Sequence, residues 1–290
     1  MLTPIAPTIA DVRNAVSGAR AAGKTVGFVP TMGALHEGHA ALVRAARAAT
    51  DFVVVSIFVN PTQFGPNEDF AKYPRTLEAD QRVCAGSGAD LIFAPGVAEM
   101  YPAGAVTSVD VAKLGDHLCG AARPGHFRGV CTVVLKLFNI VAPDVAFFGS
   151  KDYQQARIIV QMVRDLDVPV RVRVEPTVRE PDGLALSSRN RYLSPAERAV
   201  APRIQQALRV ARERVRAGEV DAARLESALH AELSAIPGAR VDYARVVDAE
   251  TVQPLARLDR PAVAAVAVFL GTTRLIDNLS LAECGTRDVE

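Results

Sequence analysis

The chain lacks several features that would place it in a broad class at once. Its 33 lysines and arginines nearly balance its 32 aspartates and glutamates, so no excess of one charge attracts nucleic acid or a membrane surface. No run of about eighteen apolar residues occurs, and residues 1–7 lack the basic flank and apolar run of a signal peptide. The sequence therefore predicts a cytoplasmic protein with no nucleic-acid or membrane partner, in which a local site holds any anionic ligand.

Closely spaced cysteines are missing as well. The four cysteines, Cys84, Cys119, Cys131 and Cys284, are widely separated and form no C-x-x-C pair. This spacing favours isolated thiols over a disulfide framework or a structural zinc site.

A strand that turns into a helix organises the first half of the chain. Thr25–Val29 has the apolar, branched composition of a strand, whereas the apolar residues after His39 return at helical spacing. Pro30 and Gly33 mark the turn, and Gly38 is predicted to leave room for a flat ligand against the backbone. At such a junction the free N–H groups and the positive dipole end of the helix face the sheet edge. The stretch therefore predicts a phosphate-binding site.

His36 and His39 are the candidate catalytic residues of this junction. Residues three apart share one face of a helix, so both imidazoles can donate to one phosphoryl group whose charge grows in the transition state. Structural or merely exposed histidines are the plainer alternative. A metal site is disfavoured because helical zinc pairs are spaced i, i+4 with a glutamate base, and a Walker-type loop would need G-K-[S/T] at this junction.

Two later loops add polar side chains at the same predicted sheet edge. Gln63 follows the buried strand Phe52–Val59, and its amide can donate and accept at once, which suits a hydroxy-acid ligand. A solvent-facing glutamine is the alternative. The string R-P-G-H-F-R-G at residues 123–129 suits either a phosphate clamp or a solvated basic loop.

The strand–glycine–helix pattern recurs at Gly149. Ser150 is predicted to cap a helix that runs to about Leu166, with Lys151 in its first turn, where a cation is unfavourable unless it meets an anion. The string L-S-S-R at residues 186–189 offers two hydroxyls and a guanidinium fork for phosphate oxygens. A capped loop explains that string equally well.

The order of strands and helices along the chain predicts two domains of different architecture. Strands and helices alternate up to a strand at 168–178, which indicates an α/β fold with a doubly wound parallel sheet. Beyond Ser194, helices to about Ala217 and over 221–235 are followed by strands at 241–247, 262–269 and 273–279, typical of a smaller α+β domain. We place the domain boundary between residues 186 and 187.

Five strings in order resemble the motifs of the pantothenate synthetase (pantoate–β-alanine ligase) family, within the H-x-G-H nucleotidyltransferase superfamily. They are P-T-M-G-A-L-H-E-G-H, N-P-x-Q-F, R-P-G-H-F-R-G-V, G-x-K-D-Y-Q-Q and S-S-R-N-R-Y-L, and the resemblance runs from Val26 to about Asn278. It implies a Rossmann-like domain over 1–186 that binds ATP and pantoate, and a lid over 187–290 that contributes S-S-R-N. It further implies condensation of (R)-pantoate with β-alanine through a pantoyl adenylate, release of AMP and of pyrophosphate with Mg²⁺, and a homodimer.

The resemblance also assigns roles to single residues. The ATP-binding residues are Met32, Gly33, His36, Gly38, His39, Gly149, Lys151, Asp152, Val178, Leu186, Ser187, Ser188 and Arg189. The residues for pantoate and β-alanine are Met32, Gln63, His126 and Gln155, with Arg123 and Arg128 beside them. The catalytic residues are His36, His39, Lys151, Ser188 and Arg189, with His39 as the main donor, and no protein metal ligand is assigned.

The chain departs from the family pattern at two positions and leaves other functions to be weighed. Ser150 stands where the family has glutamate, and Leu186 replaces methionine with a similar volume.

Another H-x-G-H adenylyl transferase, acting on a small phosphorylated substrate, would lack the glutamine loop and K-D-Y-Q-Q. A class I aminoacyl-tRNA synthetase would need a larger, basic RNA-binding portion. An inactive nucleotide-binding relic is disfavoured because both histidines and Lys151 are present.

Overall fold

The computed structural model describes residues 2–65 and 70–281. Six strands form a parallel sheet: β1 (Ile5–Ala6), β2 (Val26–Thr31), β3 (Phe52–Ile57), β4 (Leu91–Phe93), β5 (Val145–Gly149) and β6 (Arg171–Glu175). The helices among them are α1 (Ile9–Ala21), α2 (Glu37–Ala49), α3 (Leu77–Ser87), α4 (Val97–Met100), α5 (Cys119–Ala122), α6 (His126–Val141) and α7 (Tyr153–Asp165). The chain then forms α8 (Pro195–Val200), α9 (Arg203–Arg216), α10 (Ala222–Ser234), β7 (Ala239–Asp248), β8 (Ala262–Leu270) and β9 (Thr273–Ser280).

The strand order of the parallel sheet indicates where a ligand crevice lies. The strands lie in the order β1-β4-β3-β2-β5-β6. The chain builds outward from β2 through β3 to β4 and then returns to add β5 on the other side of β2, with Gly27 paired to Val145. Ligands of open α/β sheets bind beyond the carboxyl ends of the strands where the order reverses. The segments that follow β2 and β5 are thereby brought together.

Both faces of this sheet are covered, as the apolar strands predict. Phe28 and Phe148 point into one core, where both rings lie edge-on to Phe138 of α6 at 6.4 Å. The neighbouring residues Val29 and Phe147 point into a second core on the opposite face. The doubly wound α/β architecture predicted from the sequence is confirmed.

The later part of the chain forms an antiparallel sheet in the order β7-β8-β9, with α9 and α10 packed on it over a separate apolar core. The smaller α+β unit is therefore confirmed, although the boundary at 186/187 stays a prediction. The helix caps at Thr8, Ser194 and Asp221 are also as predicted, since each side chain accepts a hydrogen bond from a first-turn N–H group.

Two predicted elements differ from the structure, and one strand was not predicted. The helix predicted to reach Ala217 is two helices, α8 and α9, because Pro202 has no N–H to donate and its ring obstructs the preceding turn. The strand predicted over 168–178 is shorter and ends before Pro176. The two-residue strand β1 was not predicted, since two residues beside Pro4 and Pro7 carry no periodic pattern.

Residues 18–25 spell G-x-x-x-x-G-K-T, the Walker pattern, but in the wrong structural context. Gly18 lies inside α1, and Gly23 adopts φ +73° after the helix ends. The Lys24 N–H closes the turn on the Ala19 carbonyl before β2 begins. A Walker loop leads from a strand into a helix, whereas this segment leads from a helix into a strand. The match is therefore not a phosphate loop.

Three of the four cysteines lie among the described residues, and all three are free thiols. Cys84 and Cys131 are buried free thiols, and burial raises the pKa of each to about 12. Cys119 is a partly exposed free thiol, and Cys284 lies outside the described residues. Within 2–65 and 70–281, no helix has the length and apolarity needed to span a membrane.

Candidate active site

The two histidines form a reciprocal cap at the start of α2. His36 is the N-cap residue with extended backbone, and its Nδ1 accepts a hydrogen bond from the Gly38 N–H at 3.1 Å. The Nδ1 of His39 accepts from the His36 N–H at 3.3 Å. The ring centroids are 4.2 Å apart. His36 therefore lies just outside the helix, not within it as predicted, but the two imidazoles still lie side by side.

This cap decides which nitrogen of each ring carries the proton. Because Nδ1 accepts a backbone N–H in both rings, the remaining proton of each neutral imidazole is on Nε2. Burial lowers the pKa of His36 to about 4, and the charge of Lys151 lowers it further. Burial also lowers the pKa of His39 to about 3, with His36 as the next cause. At neutral pH the site thus offers two uncharged Nε2–H donors.

Gly38 is required by the histidine cap itself. A Cβ at this position would lie 2.9 Å from Cε1 and 3.0 Å from Nδ1 of His36. Gly38 was also predicted to contact a ligand, and it lines the cavity into which both histidines face. The structure adds that a larger residue would displace the His36 ring.

We expect the two histidines to make folding stability fall below about pH 6.5. Below this pH the two histidines become protonated in the unfolded chain but stay neutral in the folded protein. The free energy of unfolding therefore decreases as the pH falls from the unfolded pKa toward the folded pKa values of about 4 and 3. Each histidine lowers the free energy of unfolding by at most about 1.4 kcal/mol per pH unit. The decrease is smaller than this limit because both rings are partly exposed to solvent. Urea unfolding at about pH 7.5 and about pH 5 measures it.

The matched control for this pH dependence is the double variant His36→Asn, His39→Asn. Asparagine keeps an acceptor for each capping N–H but cannot take up a proton in this range. Its unfolding midpoint should change less between the two pH values than that of the parent. An equal change in both proteins would contradict the assignment.

Asp80 of α3 holds the turn before the histidines, a role that the sequence did not indicate. Its carboxylate is 1% exposed and accepts the N–H groups of Ala34 and Leu35 at 3.0 and 2.8 Å. Gly33 has φ +83°, and a Cβ there would lie 3.0 Å from Asp80 Oδ2. Gly33 therefore allows the backbone to pass close to the Asp80 carboxylate. Although it was predicted to bind ATP, Gly33 is not among the residues that line the cavity.

Gln63 is buried, with 8% exposure, and its amide has one orientation. Asn60 donates from Nδ2 to the Gly129 carbonyl at 3.1 Å, which fixes the Asn60 amide and directs the same NH₂ group to Gln63 Oε1 at 3.1 Å. Nε2 of Gln63 therefore points the other way and lies 2.9 Å from Sδ of Met32. The site receives an amide donor here, while the acceptor oxygen is held by Asn60.

The basic string at 123–129 is not a loop throughout. His126 and Arg128 lie in the first turn of α6, and Arg123 follows α5. The His126 Nδ1–H donates to the Gln63 carbonyl at 2.8 Å, and its Nε2 accepts from Arg123 at 3.0 Å. His126 and Arg123 therefore hold the backbone of Gln63 through its carbonyl group. Both residues also line a neighbouring cleft.

The segment after β5 begins with a 3-10 turn, Ser150–Asp152, and α7 follows it. The prediction that Ser150 caps the helix is wrong, because its hydroxyl bonds to Thr177 Oγ1 at 3.0 Å. Lys151 accordingly lies in the 3-10 turn and not in the first turn of α7, so the dipole argument does not apply to it. Its Nζ is 3.7 Å from Asp152 Oδ2.

The segment after β6 brings the third group of candidates. The Ser187 hydroxyl accepts the N–H of Arg189 at 3.2 Å and starts a 3-10 turn, Ser188–Tyr192. The Leu186 N–H bonds to the Val178 carbonyl at 3.0 Å, which holds both residues at the cavity wall. The capped-loop interpretation of this string is therefore correct as local structure, and it places the hydroxyls and the guanidinium beside the cavity.

One cavity of about 230 Å³ collects nearly all of these side chains. Of the predicted site residues, its wall includes Met32, His36, Gly38, His39, Gln63, Gly149, Lys151, Asp152, Gln155, Val178, Leu186, Ser187, Ser188 and Arg189. A wider cleft of about 710 Å³, which opens toward β9, shares Lys151, Asp152, Gln155, Ser187 and Arg189 with this cavity and contains His126. The groups predicted to meet therefore do meet, across about 150 residues of sequence.

Comparisons with known proteins agree with this geometry. Residues 4–280 match the family model described as pantoate-beta-alanine ligase. The chain belongs to the pantoate–β-alanine ligase family. It is 57% identical to the pantothenate synthetase of Moorella thermoacetica over 94% of this chain and 97% of that one. It is 53% identical to that of Geobacter sulfurreducens over 96% and 99%.

Solved structures of pantoate–β-alanine ligases share the fold. The pantothenate synthetase of Thermus thermophilus superposes with a TM-score of 0.91 at 49% identity, covering 96% of this chain and 99% of that one. The Francisella tularensis enzyme, solved with "Beta-gamma ATP and Beta-alanine", superposes with a TM-score of 0.78 at 35% identity, covering 98% and 99%. Both the architecture and the enzyme class inferred from the motifs are thus those of this family.

Proposed function

We propose that the protein condenses (R)-pantoate with β-alanine at the expense of ATP, releasing AMP and pyrophosphate by way of pantoyl adenylate. The observation that carries the proposal is the shared cavity. The cavity that contains Gln63 and Gln155 is also lined by Lys151, by Arg189 and by the two histidines with their neutral Nε2–H donors. A triphosphate and a small carboxylic acid can therefore be held side by side.

In the first step the pantoate carboxylate attacks the α-phosphorus of ATP and pyrophosphate leaves. This step needs alignment and charge stabilisation more than proton transfer. We assign His36, His39, Lys151, Ser188 and Arg189 to the triphosphate. The Nε2–H of His39 is the main donor to the phosphoryl oxygens, because the cap fixes its direction before the substrate binds.

Pantoate is held by the amides of Gln63 and Gln155, beside Met32. The NH₂ group of Gln63 has two protons, of which one faces Met32 Sδ, and a donor of this kind suits a carboxylate or hydroxyl oxygen of the acid. In the second step the neutral amine of β-alanine attacks the acyl carbonyl and AMP leaves. We assign no side chain as a base for that amine.

Mg²⁺ is proposed as a companion of the triphosphate. Among residues 2–65 and 70–281, no group of three histidine, cysteine, aspartate or glutamate side chains is close enough to hold a metal by itself. Asp152 nevertheless offers an exposed carboxylate on the cavity wall, and Mg²⁺ is commonly bound by one or two carboxylates together with substrate phosphates. The ion would neutralise charge on the departing pyrophosphate.

The test is the substrate requirement for AMP formation. The purified protein should form AMP from ATP when pantoate and β-alanine are both present, and lose this activity when pantoate is omitted. AMP formation that is indifferent to pantoate would reject the proposal and favour another adenylyl transferase.

Replacing Gln63 should mainly weaken pantoate binding. Gln63→Ala removes one directed donor, and we expect the pantoate KM to rise about tenfold while the ATP KM changes less than about twofold. Steady-state kinetics with each substrate varied in turn measures both. The control is Gln161→Ala, since that amide bonds to Asp165 on the exposed side of α7. An unaltered pantoate KM in Gln63→Ala would remove the residue from the site.

Three further assignments are proposals from the sequence and the family resemblance. Residues 1–186 form the ATP- and pantoate-binding domain, and 187–290 form the lid domain. The protein is a homodimer. It acts in the cytoplasm.

A further inference from the structure

Asn278, near the end of β9, contacts the segment that carries Lys151. Its Nδ2 donates to the carbonyls of Ser150 and Lys151, at 2.9 Å in each case. Both protons of the amide are therefore used on one 3-10 turn. Carbonyls of such a short turn have few partners within the turn itself, so a side chain from another element fixes where the turn lies.

The neighbouring residue of β9 contacts the chain shortly before the Ser187–Arg189 segment. Asp277, whose side chain is 4% exposed, accepts from both terminal nitrogens of Arg179 at 2.6 and 2.9 Å. Arg179 also donates to the Gly183 carbonyl and pairs in a β-bridge with Ala185, immediately before the segment that carries Arg189. Two consecutive residues of one strand thus hold the two segments assigned to the triphosphate.

We propose that Asn278 is a positioning residue for adenylate formation: together with Asp277 it sets the distance between the Lys151 turn and the Ser187–Arg189 segment. This inference rests on the proposed function. Asn278 itself acts on backbone carbonyls of the Lys151 turn, so its contribution to the reaction passes through Lys151. The antiparallel sheet consequently forms part of the phosphate site as well as a separate core.

The two half-reactions distinguish positioning from a general structural role. Pantoate-dependent exchange of pyrophosphate into ATP reports the first step, in which the triphosphate is present. The reaction of pre-formed pantoyl adenylate with β-alanine reports the second step, in which the β- and γ-phosphates are absent. In Asn278→Ala we expect exchange to slow about tenfold and the ATP KM to rise, while the second step stays within about twofold of the parent.

Gln253→Ala is the matched control. The Gln253 amide also donates to two backbone carbonyls, those of Lys113 and Thr251, but outside the cavity and the cleft. Its loss should leave both half-reactions unchanged. If Asn278→Ala does not fold, Asn278→Gln serves the same purpose, because it keeps both donors but displaces them by one methylene.

The outcomes separate the two hypotheses. If the parent protein shows no pantoate-dependent exchange, the proposed function fails. If the parent is active and the Asn278 variant either matches it or loses both half-reactions equally, the proposed function stands and the positioning role is overturned.

Discussion

Replacing His39 by alanine should lower kcat by at least about 100-fold, with a smaller change in the ATP KM. Removal of one preorganised donor to a developing oxyanion typically costs about 100- to 1000-fold in rate. The Nε2–H of His39 is such a donor, because its Nδ1 is already occupied by the His36 N–H. Steady-state kinetics at saturating pantoate and β-alanine provides the measurement.

Two substitutions at the same position separate the donor from the cap. His39→Asn keeps an acceptor near Nδ1 but offers no donor at Nε2, so it should be as inactive as alanine and closer to the parent in unfolding midpoint. His39→Gln can place an amide donor near Nε2 and should recover part of kcat. His230→Ala, at an exposed position of α10, is the histidine control. Parental kcat in His39→Ala would remove this residue from the mechanism.

Gly129→Ala should lower kcat/KM for pantoate by about 100-fold. A Cβ on Gly129 would lie 2.4 Å from the Thr62 carbonyl oxygen and 2.8 Å from the Gln63 Cα. Since α6 is packed on both sides, the Gln63 turn must move by about 1 Å, and a misplacement of that size can cost about 100-fold. The shift also disturbs the Asn60 contact that orients the Gln63 amide.

Gly18→Ala is the control for this substitution. Gly18 is likewise inside a helix, α1, but a Cβ there would meet nothing within 4 Å. Alanine at this position should stabilise the protein by about 0.5–1 kcal/mol, because it restricts the unfolded chain and favours helix. Kinetics with pantoate varied, together with urea unfolding, compares the two variants. An unchanged kcat/KM for pantoate in Gly129→Ala would show that the turn adapts without loss of activity.

Much of this molecule follows from local pattern. The apolar runs at β2, β3 and β5 are continuous because both sheet faces are covered. Thr8, Ser194 and Asp221 cap helices through hydrogen bonds to the N–H group three residues later. Such signals act within a few residues, so they can be read without the fold. The errors are also local: Pro202 was overlooked as a helix breaker, and Ser150 was assigned a cap that it does not make.

For the candidate site, the sequence indicated residues that face the cavity but not the residues that hold them in place. The motif strings include many of the residues that line the cavity, and the strand order explains why segments after β2 and β5 meet there. Asp80, Asn60 and Asn278 were not among the predicted site residues. Each holds backbone or amide groups near the cavity, and nothing in its own neighbourhood of sequence marks it for that task.

The sequence by itself thus determined the order of the main strands and helices, the separate α+β unit and the family of enzymes to which the chain belongs. The tertiary structure alone decided which nitrogen of each histidine carries its proton, which way the Gln63 amide faces and how Lys151 is held. These properties depend on hydrogen bonds whose direction is set once a donor and an acceptor are brought together. Asn278 and Lys151 are 127 residues apart, and no local pattern specifies that meeting.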